Sequence, residues 1–226
     1  MRASRALLAA FALAVVLVLD LACLAVGFRT GHAAAKVLLM PLLAASAARA
    51  GAPRLLVAAL LCGWAGDVLL LSGADPAFMA GMASFAAGHV CYLVLFRRQG
   101  PPHARARHLA LVALGYAAAL VTLVVLLWPD LPAGLRVPVA GYSTLLTAMA
   151  YTAGTRLGPA AGLGGALFML SDTLIATGVA DWPQLPRSGF WIMLTYAAAQ
   201  FLLVRGTLAA RSAPATAYRE VRSTTP

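Results

Sequence analysis

Residues 108–128 read HLALVALGYAAALVTLVVLLW and contain no Asp, Glu, Lys or Arg. At about 1.5 Å of rise per residue, a helix of this length spans roughly 30 Å, the thickness of the hydrocarbon core of a bilayer. Pro129, Asp130 and Pro132 follow at once, and such residues are typical of a helix end and a turn. The stretch therefore predicts a transmembrane helix.

The same pattern recurs along the chain. Hydrophobic residues make up 62% of the 226 positions, charged residues only 11%, and the mean hydropathy is +0.86; a soluble domain has roughly 25% charged residues. We expect an all-α, polytopic membrane protein with eight transmembrane helices, at about 6–26, 33–50, 54–73, 78–96, 108–128, 136–155, 158–180 and 188–205. They form one predicted domain over residues 1–205, followed by a short, polar, disordered cytoplasmic tail over 206–226.

The arginines are distributed unevenly among the predicted loops. The two termini and every second loop hold thirteen of them, whereas the opposite loops hold only Arg29, Arg136 and Arg187. Because basic residues concentrate on the cytoplasmic side, both termini are predicted to be cytoplasmic. We expect the chain to be a multi-pass protein of the cell membrane, in this case a bacterial inner membrane. This topology and anionic lipid headgroups explain the net charge of +10, so nucleic-acid binding is not expected.

Four charged residues fall inside the predicted spans at similar depth. Asp20, Asp67 and Asp172 lie about two-thirds of the way along outward-running helices, and Lys36, the only lysine, lies near the start of an inward-running one. His89 falls near the midplane. A charge at such depth costs at least a few kcal/mol and usually faces a partner or a wet cavity, so the group is a candidate functional site. The alternative for Lys36 is a side chain that extends to the headgroups.

Helical spacing places further side chains beside these groups. Phe85, His89 and Tyr92 share one face at i, i+4 and i+7, and Tyr196 and Gln200 are i, i+4. The remaining neighbours are Phe168, on the face of Asp172, and the adjacent Ser171. We expect them to line a pocket, with ordinary helix packing as the alternative for the aromatic rings. Gly81 and Gly88 offer close packing, and Pro41 frees the carbonyl of Val37, which predicts a kink beside Lys36.

Five short motifs in order resemble the YhhN-like lysoplasmalogenase family. They are Lys36-Val37-Leu38, Gly66-Asp67, FAAGHVCY over residues 85–92, GALFMLSD over 165–172 and YAAAQ over 196–200. The resemblance runs from about residue 15 to 205. One departure is that the family usually has proline directly after the lysine, whereas Val37 follows here and the proline comes at position 41.

The resemblance implies an integral membrane hydrolase that cleaves the vinyl ether bond of lysoplasmalogens, or of a related lyso-ether lipid. The products are a fatty aldehyde and glycerophosphoethanolamine or glycerophosphocholine. Protonation of the outer alkene carbon gives an oxocarbenium ion, which water captures, and the hemiacetal then separates into aldehyde and alcohol. Such a reaction needs a carboxylic acid, and a second carboxylate to stabilise the cation and activate water. No cofactor is expected.

We therefore predict that Asp67 and Asp172 are the acid and base pair, in an order that the sequence leaves open. Lys36 would tune them or bind the lipid phosphate, His89 and Tyr196 would orient water or the glycerol hydroxyl, and Asp20 would be a supporting partner.

Three alternatives remain at this stage. A zinc ion held by Asp67, Asp172 and His89 would supply a different mechanism. A proton-coupled carrier of a lipid or small amphiphile could use the same Asp and Lys residues, although no repeat relates the two halves of the chain as in many transporters. A lipid-binding or assembly protein without turnover would leave the paired aspartates unexplained.

Overall fold

In the computed structural model, the described backbone covers residues 2–99 and 106–223, and the described side chains cover 8–99 and 106–211. This backbone forms eight α-helices, and the described residues include no strand. The helices are α1 (Arg2–Val26), α2 (Arg29–Arg49), α3 (Arg54–Leu70), α4 (Asp75–Arg97), α5 (Ala106–Leu127), α6 (Ala133–Leu157), α7 (Pro159–Val179) and α8 (Ser188–Ser223). The predicted all-α polytopic fold is confirmed, and each predicted span overlaps one helix.

Six of these helices are individually long and apolar enough to cross a bilayer: α1, α2, α4, α5, α7 and α8. The other two differ for visible reasons. Helix α3 has only 17 residues, about 25 Å of rise. Helix α6 contains Arg136, Pro138 and several Ser, Thr and Tyr residues, which lower its hydropathy. Since α3 packs between α2 and α4, and α6 against α4, α5 and α7, both belong to the same bundle.

The helix ends agree with the turn residues, with one extension. Gly158 is the only residue between α6 and α7, and its φ of +93° is a conformation that favours glycine. Helix α8 continues to Ser223, beyond the predicted end of the last span at residue 205. The division of the chain at 205 remains a prediction, and residues 224–226 of the predicted tail lie outside the described backbone.

Glycines allow the helices to approach one another closely. A Cβ added at Gly88 would lie 3.1 Å from the Ala59 carbonyl oxygen, and one at Gly81 would lie 3.3 Å from the Gly66 carbonyl oxygen. The predicted close packing at Gly81 and Gly88 is thereby confirmed. These contacts bring α3 against α4 and hold their polar residues at a fixed separation.

The interior of the bundle is unusually polar for a chain of this composition. Asp20, Asp67, His89, Ser171 and Gln200 are all at most 2% exposed. Large apolar side chains point outward instead, above all on α5, where the described residues include only one buried position, Leu127. The apolar exterior suits lipid, and the buried polar side chains must find partners within the protein.

Candidate active site

A cavity lies between α3, α4, α5, α6 and α7. Its volume is about 70 Å³, it is partly open to the outside, and most of its wall is apolar, with Leu70, Phe78, Leu120 and Val179 among the lining residues. Asp172 and Tyr142 are the titratable side chains in this wall. An apolar cavity with a few convergent polar groups is the usual form of a ligand site.

A second cavity, with a volume of about 290 Å³, adjoins the first at the loop end of the helices. It shares Leu70, Phe78 and Val179 with the main cavity and adds Asp75 and the loop residues Gly73 and Ala74. Val179 is seven residues after Asp172 on α7, a rise of about 10 Å. Taken together, the two adjoining cavities extend from the helix ends to the depth of Asp172.

Asp172, Tyr142 and His89 form a hydrogen-bonded group, which we call the Asp172 cluster. The Tyr142 hydroxyl donates to Oδ2 of Asp172, and Nε2 of His89 lies 3.0 Å from the same hydroxyl oxygen. Oδ1 of Asp172 has no hydrogen-bond partner among the described residues. It is not fully buried either, because it is absent from the buried side-chain atoms that lack a partner. One oxygen of this carboxyl is therefore held and the other is accessible.

Asp67 has entirely different partners, and we call its group the Asp67 cluster. Lys36 Nζ lies 3.3 Å from Oδ1, and the Tyr196 hydroxyl donates to Oδ2 at 2.9 Å. Gln200 Nε2 donates weakly to the Tyr196 oxygen at 3.4 Å, and the Tyr92 hydroxyl donates to Gln200 Oε1 at 2.6 Å. Both oxygens of Asp67 are occupied, and a cation compensates its charge.

Phe168 lies between the clusters and Phe85 packs against it; we call these two rings the aromatic barrier. Phe168 packs edge-on against both sides, 4.8 Å from the His89 ring and 5.4 Å from the Tyr196 ring between centroids. Phe85 lines the cavity and lies 5.9 Å from Tyr196. The aspartates nevertheless interact electrostatically across this barrier. The rings thus separate the clusters sterically while leaving them within range of each other's charge.

A third polar pair lies on α1 and α2. Nδ1 of His32 is 2.7 Å from Oδ1 of Asp20, whose Oδ2 is buried and has no partner within the described chain. Because Asp20 also interacts electrostatically with Asp67, the pair borders the Asp67 cluster. His32 and Lys36 are i, i+4 on α2, so they share one face of that helix.

Pro41 leaves a carbonyl of α2 free, as the sequence predicts, and that carbonyl has a partner on α3; the predicted kink stays a prediction. Pro41 lies inside α2 and leaves the carbonyl of Val37 without its usual helical donor. The Trp64 indole N–H donates to that oxygen at 2.9 Å. Trp64 therefore fixes α3 to α2 one residue beyond Lys36, which positions the Lys36–Asp67 pair.

The predicted site residues divide into three locations. Phe85 and Asp172 line the main cavity, and His89 reaches its wall through Tyr142. Phe168 belongs to the aromatic barrier, and Asp20 lies beside the Asp67 cluster. The residues behind the barrier are Lys36, Asp67, Tyr196, Gln200 and Tyr92. Ser171 is directed elsewhere, because its hydroxyl donates to the Ile192 carbonyl on α8 at 3.2 Å.

Sequence reasoning missed Tyr142, Trp64 and the role of His32. A tyrosine or tryptophan in a span is ordinarily packing, so neither carries a signal as clear as a charge at membrane depth. The available hint for Tyr142 was the low hydropathy of α6 around the run Tyr142-Ser143-Thr144. For His32 it was the i, i+4 spacing to Lys36.

Within the described side chains, no three His, Cys, Asp or Glu residues are grouped closely enough to hold a metal ion. Asp67, Asp172 and His89, the ligands considered from sequence, are divided between the two clusters. They do not form a zinc site in this arrangement.

Comparison with known proteins supplies the family. Residues 31–207 match the YhhN family. Lysoplasmalogenase TMEM86B of Homo sapiens is 37% identical over 158 residues, which is 70% of this chain and 65% of the human protein. The protein of the same name from Sus scrofa is 39% identical over 145 residues, 64% of this chain and 59% of the relative. The chain thus spans 65% and 59% of the length of these two curated relatives, and no solved structure matches.

The family match covers most of the chain and nearly all of the site. It includes α2 from its first turn, both aspartate clusters, the aromatic barrier and the membrane part of α8. On this extent of similarity, the chain belongs to the YhhN family.

Proposed function

We propose that this protein is a membrane-embedded hydrolase that cleaves the vinyl ether bond of lysoplasmalogens, with Asp172 as the acid that faces the substrate. The observation that carries the proposal is a carboxyl with one held and one accessible oxygen in the wall of an apolar cavity within the bundle. The relatives are named lysoplasmalogenases, and this name is the reason for the choice of bond.

The cavity suits a lipid with one chain. Its apolar wall accepts an alkenyl chain, and the adjoining second cavity at the helix ends offers room for a polar headgroup. The rise of about 10 Å from Asp172 to Val179 is comparable to the extended length of a glycerophosphoethanolamine. The vinyl ether, which joins chain and glycerol, would then lie beside Asp172.

The first step is a proton transfer to carbon. Asp172 delivers the proton of Oδ1 to the outer alkene carbon; the π electrons form the new C–H bond, and the carbon beside the ether oxygen becomes an oxocarbenium ion. The carboxylate left on Asp172 lies next to that cation and stabilises it. The cavity's apolar wall strengthens this attraction because few water molecules screen it.

Water completes the reaction at the same carboxyl. As water attacks the cationic carbon, Asp172 takes one of its protons and returns to the acid form. The hemiacetal then breaks its bond to the glycerol oxygen, the hemiacetal hydroxyl proton moves to that oxygen, and aldehyde and glycerophospho alcohol separate. One residue thus serves as acid and then as base.

The Asp67 cluster would act at a distance. Asp67 has both oxygens occupied and does not line the main cavity, so we assign the base step to Asp172 rather than to Asp67. Its ion pair with Lys36 and the hydrogen bond from Tyr196 would hold α2, α3 and α8 in place beside the aromatic barrier.

The expected setting is a multi-pass membrane protein in a bacterial inner membrane with both termini cytoplasmic, surrounded by membrane lipids. The arginine distribution supports this orientation. Asp75 and the second cavity would then face the outer side.

The test is aldehyde release from a lysoplasmalogen by purified protein in detergent, measured by mass spectrometry of the trapped hydrazone. The matched substrate is the saturated lyso-ether lipid, which has the same headgroup and chain but no alkene to protonate. We expect aldehyde only from the vinyl ether. A carrier would release none in micelles but would move lipid across a sealed vesicle membrane, and that pair of results would contradict the proposal.

A further inference from the structure

Tyr142 is the one side chain that contacts both other members of the Asp172 cluster. It lies on α6, lines the cavity, and joins a residue of α4 to a residue of α7. A tyrosine hydroxyl has one proton to donate and two lone pairs to accept with. The proton is engaged by Oδ2 of Asp172, so the Tyr142 oxygen accepts from His89, and the His89 ring proton lies on Nε2.

His89 has no other hydrogen-bond partner in the described part of the chain. Its Nδ1 is buried and unpaired, and its ring packs edge-on against Phe168. The hydrogen bonds therefore run in one direction, from His89 through Tyr142 to Asp172. Because Tyr142 occupies Oδ2, the reactive proton of Asp172 is confined to Oδ1, the accessible oxygen.

The same bond changes in strength during the proposed reaction. Before proton transfer, Tyr142 donates to a neutral carboxyl; afterwards it donates to a carboxylate, and hydrogen bonds to charged acceptors are about twice as strong. An interaction that strengthens as charge develops lowers the barrier without tightening substrate binding. The His89 N–H polarises the Tyr142 hydroxyl in the same direction.

We infer that Tyr142 is a positioning residue of this reaction, which holds Asp172 by Oδ2, directs Oδ1 to the cavity and stabilises the carboxylate that forms, with His89 acting through it. This inference rests on the proposed function. It assigns to α6 a role that neither the charge pattern nor the motifs of the sequence indicated.

The experiment compares Tyr142→Phe with Tyr151→Phe in detergent. Tyr151 is on the same helix, and its hydroxyl makes only a long contact, 3.4 Å, to the Leu109 carbonyl. We expect kcat for aldehyde release to fall about 100-fold in Tyr142→Phe, as for the loss of one preorganised donor, with KM within about threefold. Tyr151→Phe should retain kcat within about twofold. The solvent deuterium isotope effect on kcat should rise only in Tyr142→Phe, because proton transfer becomes the slow step.

A second pair of variants covers the case in which Tyr142→Phe does not fold. His89→Gln keeps an N–H donor for the Tyr142 oxygen, whereas His89→Leu removes it, so the glutamine variant should retain at least tenfold more activity. Equal activity of this pair would overturn the inference. So would a folded Tyr142→Phe within threefold of the parent kcat while Asp172→Asn is inactive. A parent that releases no aldehyde would instead overturn the proposed function, and this inference with it.

Discussion

Asp67 and Asp172 lie within electrostatic range of each other, but the protein surrounds them in opposite ways. Asp67 is 2% exposed, with a cation 3.3 Å from one oxygen and a hydroxyl on the other. Asp172 has no cation within reach among the described residues, one hydroxyl on Oδ2, and an accessible Oδ1 in a cavity wall. A paired, fully bonded carboxylate is suited to holding helices and fixing a field, whereas a carboxyl with a free oxygen is suited to proton transfer.

The largest expected contrast comes from replacing each aspartate by asparagine. In Asp172→Asn the amide oxygen still accepts from Tyr142, so the fold should hold while aldehyde release falls about 1000-fold for lack of the acid. In Asp67→Asn, Lys36 loses its carboxylate partner, and breaking a buried pair costs about 3 to 5 kcal/mol. For a chain of this size that lowers the apparent Tm by roughly 10 °C.

The measurements are thermal unfolding in detergent and kcat on the same preparations. The proposed difference between the two aspartates would be contradicted if both variants lowered the Tm equally. It would also be contradicted if Asp172→Asn kept its kcat in a folded protein. Asp67→Asn should also lose activity, but by less than Asp172→Asn at a temperature well below its Tm.

The next prediction tests whether the charge of Lys36 stabilises the buried carboxylate of Asp67. Lys36→Met leaves the buried carboxylate uncompensated and should cost about 3 kcal/mol of unfolding free energy. Adding Asp67→Asn to Lys36→Met removes the stranded charge, so the double variant should be more stable than either single one. A double-mutant cycle on Tm measures the coupling. Strictly additive losses would show that the two side chains do not stabilise each other.

The different surroundings of Asp67 and Asp172 could not be predicted from the sequence. Apolar length and turn residues predict the helices, and position along each helix predicts depth, which is why Lys36 and Asp67 were expected at the same level. Rotation about the helix axis is set by packing against neighbours. Ser171 and Asp172 are adjacent in sequence, yet Ser171 bonds to α8 and Asp172 faces the cavity. Depth alone therefore suggested one acid and base pair where the fold separates two clusters.

The uncharged hydrogen-bond partners could not be predicted from the sequence either. Tyr142 and Trp64 make decisive hydrogen bonds, but a ring in an apolar helix ordinarily contributes packing. Pro41 predicted a free carbonyl at Val37, and only the fold shows that Trp64 on α3 donates to it. Such contacts depend on which helices are neighbours, which a single sequence does not reveal for residues without charge.

A smaller contrast concerns the space around the Asp67 cluster. A Cβ at Gly63 would lie 3.0 Å from the Tyr196 hydroxyl and 3.2 Å from Gln200 Nε2, whereas one at Gly115 meets nothing within 4 Å. Gly63→Ala should therefore displace Tyr196 from Asp67, at a cost of about 2 kcal/mol from overpacking. Gly115→Ala should stabilise α5 by a fraction of a kcal/mol, as alanine is the better helix former. Equal Tm values for the two variants would contradict this crowding.

The smallest expected effect is at the far end of the Asp67 cluster. Tyr92→Phe removes a hydroxyl that donates to Gln200 Oε1, while the ring stays packed 5.4 Å from Phe96. The loss should be about 1 kcal/mol, because Gln200 is fully buried and its oxygen is left without a donor. Aldehyde release should fall by less than about threefold, since three hydrogen bonds separate this hydroxyl from Asp67. A loss of activity as large as that of Asp172→Asn would mean that the Asp67 cluster transmits protons to the reaction, and the contrast between the two aspartates would then disappear.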